Sequence, residues 1–193
     1  MARKFEKYRV RVLCEDREHY NFIYGFLVDR GFAERKINMS RELPEGSQSG
    51  EQFVREHFNN EYKRYACGQE NVLLVIMQDI DHDDKRPEDM KNKYSQLVNN
   101  GIKASDKLLF IFPKRNIETW FEWLLQTPPR AEVSESADFK QKHSCTKSTT
   151  VGKMASKFYS ECHNDHSACD NAPSSLKYSC GEFERLCNYL KSI

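Results

Sequence analysis

An apolar run at residues 71–77, Asn-Val-Leu-Leu-Val-Ile-Met, limits the folds open to this chain more than any other segment. Strands of this composition are buried on both faces, as in parallel sheets that helices cover on both sides. Three more strand-like segments, residues 8–14, 34–39 and 107–112, alternate with stretches of helical 3–4 periodicity. The pattern predicts an α/β fold with a mainly parallel four-stranded sheet and helices on both faces.

The alternation ends at two consecutive prolines, and the chain changes character beyond them. We expect residues 1–127 to form the α/β domain. Residues 128–150 are rich in Ser, Thr, Lys and Glu, which predicts a linker or loop. Two more helices are predicted within residues 151–193, as a C-terminal extension that contains Cys and His and packs on the domain.

Charge and hydropathy indicate whether nucleic acid or a membrane is an expected partner. The chain has 30 basic and 29 acidic residues, a formal net charge of +1, so any affinity for nucleic acid must come from local clusters. No apolar run approaches the roughly 18 residues that a membrane span needs. Residues 1–7 carry charges and no signal-type apolar core follows them. We therefore expect a cytoplasmic protein with no membrane partner.

Acidic side chains follow two of the predicted strands. Glu15 follows the first strand, and Asp79-Ile80-Asp81 follows the buried strand. Ligands of open α/β sheets bind at the carboxyl ends of the strands, and alternation places Asp79 and Asp81 on one side. If the two strands are neighbours, three carboxylates meet, and a divalent cation relieves their repulsion. Ligands that are all oxygen favour Mg²⁺ or Mn²⁺, and Asp83 is a further ligand candidate in the same loop.

The competing interpretation of these acids is ordinary. Acidic residues after strands also cap helices and solubilise loops, and an Asp-x-Asp triplet alone favours that interpretation. The position of Glu15 after the first strand of this β–α–β order is what favours a metal site.

A strand that ends in one glutamate, a helix, and a buried strand that ends in Asp-x-Asp together resemble the Toprim domain of primases, topoisomerases and overcoming-lysogenization-defect nucleases. The resemblance covers residues 8–126. It is closest to the small Toprim-like proteins of bacterial antiviral defence and mobile loci, which likewise follow the fourth strand with Pro and an Ile-Glu-x-Trp helix. Here these residues are Pro113 and Ile117-Glu118-Thr119-Trp120.

The resemblance implies Mg²⁺-dependent cleavage or transfer of nucleic-acid strands, in concert with a partner ATPase. It also implies that Glu15 is the acid/base residue and that Asp79 and Asp81 bind metal. The chain departs from the pattern at Asp16, where many members have glycine.

Five more residues are candidates for supporting roles. Lys114 and Arg115 follow the fourth strand and are expected to contact substrate phosphate at the same sheet edge. Lys153, near a predicted helix start, is a candidate catalytic cation. Glu118 is a candidate for orienting Arg115 or the metal, and His82 for ligating metal or carrying a proton. Surface solvation, a helix-dipole carboxylate and an exposed loop histidine are the ordinary alternatives.

Five of the seven cysteines lie after residue 144. Free thiols are the default expectation for a cytosolic protein. A structural Zn²⁺ held by Cys162, His166, Cys169 and Cys180 is an alternative, although the paired C-x-x-C spacing typical of zinc sites is missing.

The leading hypothesis is a metal-dependent nuclease that cleaves DNA or RNA in a defence or mobile-element system. The first alternative is a non-catalytic Toprim-like adaptor or nucleic-acid-binding module, and the second is another metal enzyme, such as a nucleotide hydrolase. The choice between DNA and RNA and the oligomeric state stay open.

Overall fold

A computed structural model of the chain contains one sheet of four strands. It describes residues 5–43, 49–66, 71–81, 86–164 and 169–192. The strands are β1 (Arg9–Cys14), β2 (Ile37–Met39), β3 (Val72–Met77) and β4 (Leu108–Ile111). Their order is β2-β1-β3-β4 and every pair is parallel, which confirms the predicted four-stranded parallel α/β sheet.

Helices surround this sheet. They are α1 (Arg17–Asp29), α2 (Gly50–Glu61), α3 (Pro87–Gln96), α4 (Glu118–Leu124), α5 (Lys140–His143), α6 (Ser148–Asn164) and α7 (Ser174–Ser192). A 3₁₀ turn, Glu34–Lys36, precedes β2, and a π-helical turn, Tyr62–Ala66, continues α2. None of the helices in the described ranges is long and apolar enough to cross a membrane.

Strand β3 is buried along its whole length, as its apolar run predicts. Leu73, Val75 and Met77 belong to a core that includes side chains of α1, α4, α6 and α7. Leu74 and Ile76 belong to a second core with side chains of α2 and α3. Helices therefore cover both faces of the sheet, and the C-terminal helices share the core of the first face.

The segment predicted as a linker has anchors of its own. It contains α5, and the buried His143 contacts the Glu122 carboxylate of α4 at 2.9 Å. The Glu135 carboxylate accepts hydrogen bonds from the backbone N–H groups of Ser174 and Ser175, at 3.0 Å each, and so caps the start of α7. These contacts join residues far apart in sequence, so the polar composition of the segment does not reveal them.

Helices α1 and α6 approach each other at two glycines. A β-carbon on Gly25 would lie 2.1 Å from the carbonyl oxygen of Thr149, and one on Gly152 would lie 2.0 Å from that of Phe22. Only hydrogen at these positions lets the two backbones come so close. This contact fixes the start of α6 against α1, next to the edge of the sheet where β1 ends.

The close approach predicts opposite effects for alanine at two helical glycines. Gly152→Ala should destabilise the fold by about 1–3 kcal/mol, because the new methyl group overpacks the α1–α6 contact. Gly181→Ala in α7 is the matched control. Its β-carbon would have no atom within 4 Å, and alanine favours the helix by about 0.8–1 kcal/mol. Urea unfolding measures both changes, and a Gly152→Ala protein as stable as wild type would contradict the packing.

Candidate functional site

The pairing of β1 with β3 brings the strand-terminal acids together. Cys14, the last residue of β1, lies opposite Met77, the last residue of β3. Glu15 follows Cys14 directly, Asp79 lies two residues after Met77, and the backbone N–H of Asp79 donates a hydrogen bond to Glu15 Oε1 at 3.1 Å. The two strands are therefore neighbours, which was the condition for a shared acidic site.

The parity of the two positions places the Glu15 and Asp79 side chains on opposite sides of the sheet plane. Glu15 has the same parity as Leu13, whose side chain packs with α2 and α3, and a β-carbon on Gly50 of α2 would lie 2.5 Å from the β-carbon of Glu15. Asp79 has the parity of Met77 and contacts α1 instead. Glycine at the first position of α2 thus makes room for Glu15.

Burial disfavours the ionised form of the Glu15 carboxyl, and nearby positive charge only partly compensates. The pKa of its carboxyl is raised to about 8, chiefly by desolvation and also by the charges of Asp79 and Asp81, while His19 opposes the rise. Asp81 itself is exposed. Because a raised pKa means that the charged form is disfavoured, Glu15 gains from any cation placed beside it.

A histidine that the sequence analysis did not single out holds Asp79. His19 Nε2 lies 3.1 Å from Asp79 Oδ1, and only 1% of the histidine side chain is exposed. Burial alone would lower the pKa of His19, but the carboxylates of Asp79, Asp16 and Glu15 raise it to about 10. Asp79 therefore sits against an imidazolium. The sequence feature that could have indicated this contact is the position of His19, one helical turn after the strand-terminal Glu15.

Two more carboxylates extend the acidic cluster. Glu118, the first residue of α4, is buried, and burial raises the pKa of its carboxyl, as do the charges of Glu18 and Asp79. Glu18 Oε1 accepts a hydrogen bond from Ser148 Oγ at 3.0 Å, which ties it to the start of α6. The first turns of α1, α4 and α6 thus meet at the edge of the sheet that carries Asp79.

Lys114 and Arg115 lie beside the acids at the end of β4. Lys114 pairs with Ile80 in a parallel bridge, and the N–H of Arg115 donates to the Ile80 carbonyl at 2.8 Å. Arg115 has a φ of 68°, a left-handed conformation that is uncommon for a residue other than glycine. Neither side chain forms an ion pair with a described residue. Both residues are half-buried.

Lys153 is not brought to this edge. α6 begins at Ser148, so Lys153 lies in its second turn, exposed to solvent, and the described contacts of the carboxylates do not include it. His82, Asp83 and His166 lie outside the described residues. The roles of all four stay predictions.

Cys162 and Cys169 form a disulfide bond, in place of the free thiols expected by default. Cys180 has a free thiol whose pKa burial raises to about 12. Both disulfide sulfurs are used in the covalent bond, so a zinc site at these cysteines would require its reduction.

The donor set fits a hard divalent cation in its chemistry. Glu15, Asp79 and Asp81 offer only oxygen ligands, and Glu15 lacks a full counter-charge. Within the described ranges, however, no three His, Cys, Asp or Glu side chains are already arranged to hold a metal ion. The opposite parities of Glu15 and Asp79, and the contact between Asp79 and His19, account for this. Metal binding would have to turn these carboxylates toward one point.

Comparison of the chain with protein-family models, curated proteins and solved structures finds no match. The Toprim resemblance thus stays a prediction from the sequence.

The state of Glu15 makes metal affinity depend on pH. Because its pKa is about 8, the carboxyl holds a proton below that pH, and a metal ion that binds there must displace it. We expect Mg²⁺ affinity to be about tenfold or more weaker at about pH 6.5 than at about pH 8.5, measured by isothermal titration calorimetry. The proton released on binding can be quantified by repeating the titration in buffers of different ionisation enthalpy.

Two isosteric variants separate this effect from general charge. Glu15→Gln should bind Mg²⁺ weakly and with little dependence on pH over this range. Glu132→Gln, which removes an exposed carboxylate outside the site, should keep the wild-type profile. Equal wild-type affinity at the two pH values would contradict a role for Glu15 as a ligand.

Proposed function

We propose that this chain is a Toprim-like nuclease that cleaves phosphodiester bonds of DNA or RNA with Mg²⁺ or Mn²⁺. The observation that carries the proposal is the direct contact between Glu15 and Asp79 at the carboxyl ends of adjacent parallel strands. Toprim-like chains are expected to place their acid/base glutamate and their metal-binding aspartates in this relation. Glu118, in the Ile-Glu-x-Trp segment of the resemblance, faces the same cluster and adds support.

In this proposal Asp79 and Asp81 would hold the metal ion. A divalent ion there would polarise a phosphodiester oxygen and acidify a bound water molecule. Glu15 is suited to general-base catalysis once its carboxyl is ionised, because a carboxylate with a pKa of about 8 is a stronger base than an ordinary one, and a cation beside it would favour the ionised form. The contact between His19 Nε2 and Asp79 Oδ1 would hold the Asp79 carboxylate in place before the cation binds.

Substrate contact would fall to the end of β4. Lys114 and Arg115 carry positive charge at the sheet edge where the carboxylates lie, and Arg115 can bind a phosphate through two parallel hydrogen bonds. A net charge of +1 gives the chain little overall attraction for nucleic acid. We therefore propose that a partner, an ATPase of the same defence or mobile-element system, supplies part of the grip on the substrate.

A second candidate function is a non-catalytic adaptor with the same fold. It is favoured by the way the carboxylates are satisfied within the protein. Asp79 contacts His19, and Glu15 accepts the amide hydrogen of Asp79. With Glu15 protonated, such a cluster would need no metal ion, and its surface would then dock a protein.

A cleavage assay on plasmid, single-stranded DNA and tRNA, each with Mg²⁺ or Mn²⁺, tests the nuclease proposal. We expect Glu15→Gln and Asp79→Asn each to lower the cleavage rate by about 100-fold or more, the scale of a lost acid/base group. Glu132→Gln should cleave at the wild-type rate, which excludes an effect of net charge alone.

The outcomes separate the two functions. Wild-type rates in both site variants would show that a different site, or a contaminant, performs the cleavage. If the wild-type chain cleaves none of the substrates, alone or with the ATPase, while it binds that protein, the adaptor function is the correct one.

A further inference from the structure

A polar cavity lies at the edge of the sheet where β4 begins, opposite the edge that carries Glu15 and Asp79. It has a volume of about 490 Å³, within the range of small-molecule sites. Its walls come from the π-helical turn Tyr62–Ala66, the connection from α3 to β4, and Tyr189 near the end of α7. Lys107, which lines it, directly precedes β4, so the cavity is separated from Glu15 and Asp79 by the length of the strands.

The charge of this cavity is positive. Lys63, Lys103 and Lys107 line it, and among the described lining residues Asp106 is the one acid. Lys63 and Lys103 are exposed at its mouth, and neither side chain has an ion-pair partner in the described part of the chain. Lys107 is 8% exposed. In a chain whose net charge is +1, this concentration of lysines creates a local field that attracts anions.

Hydrogen bonds hold the walls in place. Oδ2 of Asp106 accepts hydrogen bonds from the hydroxyl of Tyr62 at 2.5 Å and from the N–H of Lys103 at 2.7 Å, so this carboxylate joins two walls of the cavity. The backbone N–H of Lys107 donates to the carbonyl of Ala66 at 3.3 Å. The π-helical turn that supplies Tyr62 and Lys63 is a rare geometry that occurs frequently at functional sites.

The remaining lining residues suit an aromatic ring with polar edges. Tyr62 and Tyr189 provide aromatic surface, and the side chains of Asn99 and Asn100 offer both donors and acceptors. Phosphate-binding lysines beside aromatic and amide groups match the two chemical parts of a nucleotide. We propose that this cavity binds a nucleoside diphosphate, with the lysines on the phosphates and Tyr189 against the base.

Isothermal titration calorimetry with the full chain tests this site. ADP, GDP, CDP, UDP, inorganic pyrophosphate and adenosine are titrated separately in the presence of EDTA, so that metal at the carboxylate cluster plays no part. We expect at least one nucleoside diphosphate to bind more tightly than pyrophosphate, and adenosine to bind most weakly. Failure of the nuclease proposal would not alter this result, since the two sites share no residue.

Two sets of variants localise the binding. Lys63→Glu combined with Lys103→Glu should weaken nucleotide binding by about tenfold or more, because two phosphate contacts become repulsive. The matched control is Lys157→Glu combined with Lys177→Glu, which reverses two exposed lysines outside the cavity and should change affinity by less than about twofold. Tyr189→Ala should weaken binding of the nucleotide by about fivefold, the loss of one stacking contact, and leave pyrophosphate unaffected.

Each contrary result overturns the proposal. Binding of none of the four nucleotides at millimolar concentration would exclude the site. If both double lysine variants weakened nucleotide binding equally, overall charge and not this cavity would explain the effect. A pyrophosphate affinity equal to that of the nucleotides would leave an anion site with no recognition of the base. Circular dichroism of each variant checks that the fold is retained.

Discussion

The parallel pairing of β1 with β3 is the contact on which the rest of the structure depends. It places the fully buried β3 between two strands and aligns Cys14 with Met77, so β1 and β3 end at the same level of the sheet. Glu15 and Asp79 then have to share one small region of the edge. The pairing therefore generates a local electrostatic conflict, and the surrounding helices are arranged in a way that reduces it.

His19 partly offsets the repulsion between these carboxylates. Its side chain supplies a buried cation to Asp79, while Glu15 is left with a raised pKa and Glu118 with another. A protein that needed only stability would do as well with apolar groups here, since buried charge pairs rarely add net stability. Retaining several carboxylates around one histidine is easier to understand if a cation of higher charge has to bind among them. An adaptor without a metal ion would not need these carboxylates, unless its protein partner supplied the positive charge.

The sequence predicted the parts of this arrangement that depend on local pattern. The apolar run of β3, the strand–helix alternation and the positions of Glu15, Asp79 and Asp81 are readable because a strand has a period of two and ends at its first polar residues. His19 contacts Asp79 across 60 residues, and Ser148 contacts Glu18 across 130. The first contact depends on how α1 packs against the sheet, and the second on how α1 and α6 cross at Gly25 and Gly152; neither arrangement can be read from local sequence pattern.

Composition misleads most where charge is concerned. A formal net charge of +1 argues against a general affinity for polyanions, yet it averages over two edges of one sheet that differ in sign. Carboxylates collect where β1 and β3 end, and lysines line the cavity where β4 begins. Because exposed charges more than about 10 Å apart are largely screened at physiological salt, each edge acts on ligands by its own field. Under the two proposals, the carboxylates would bind a cation and the lysines of the cavity an anion, although the whole chain is almost neutral.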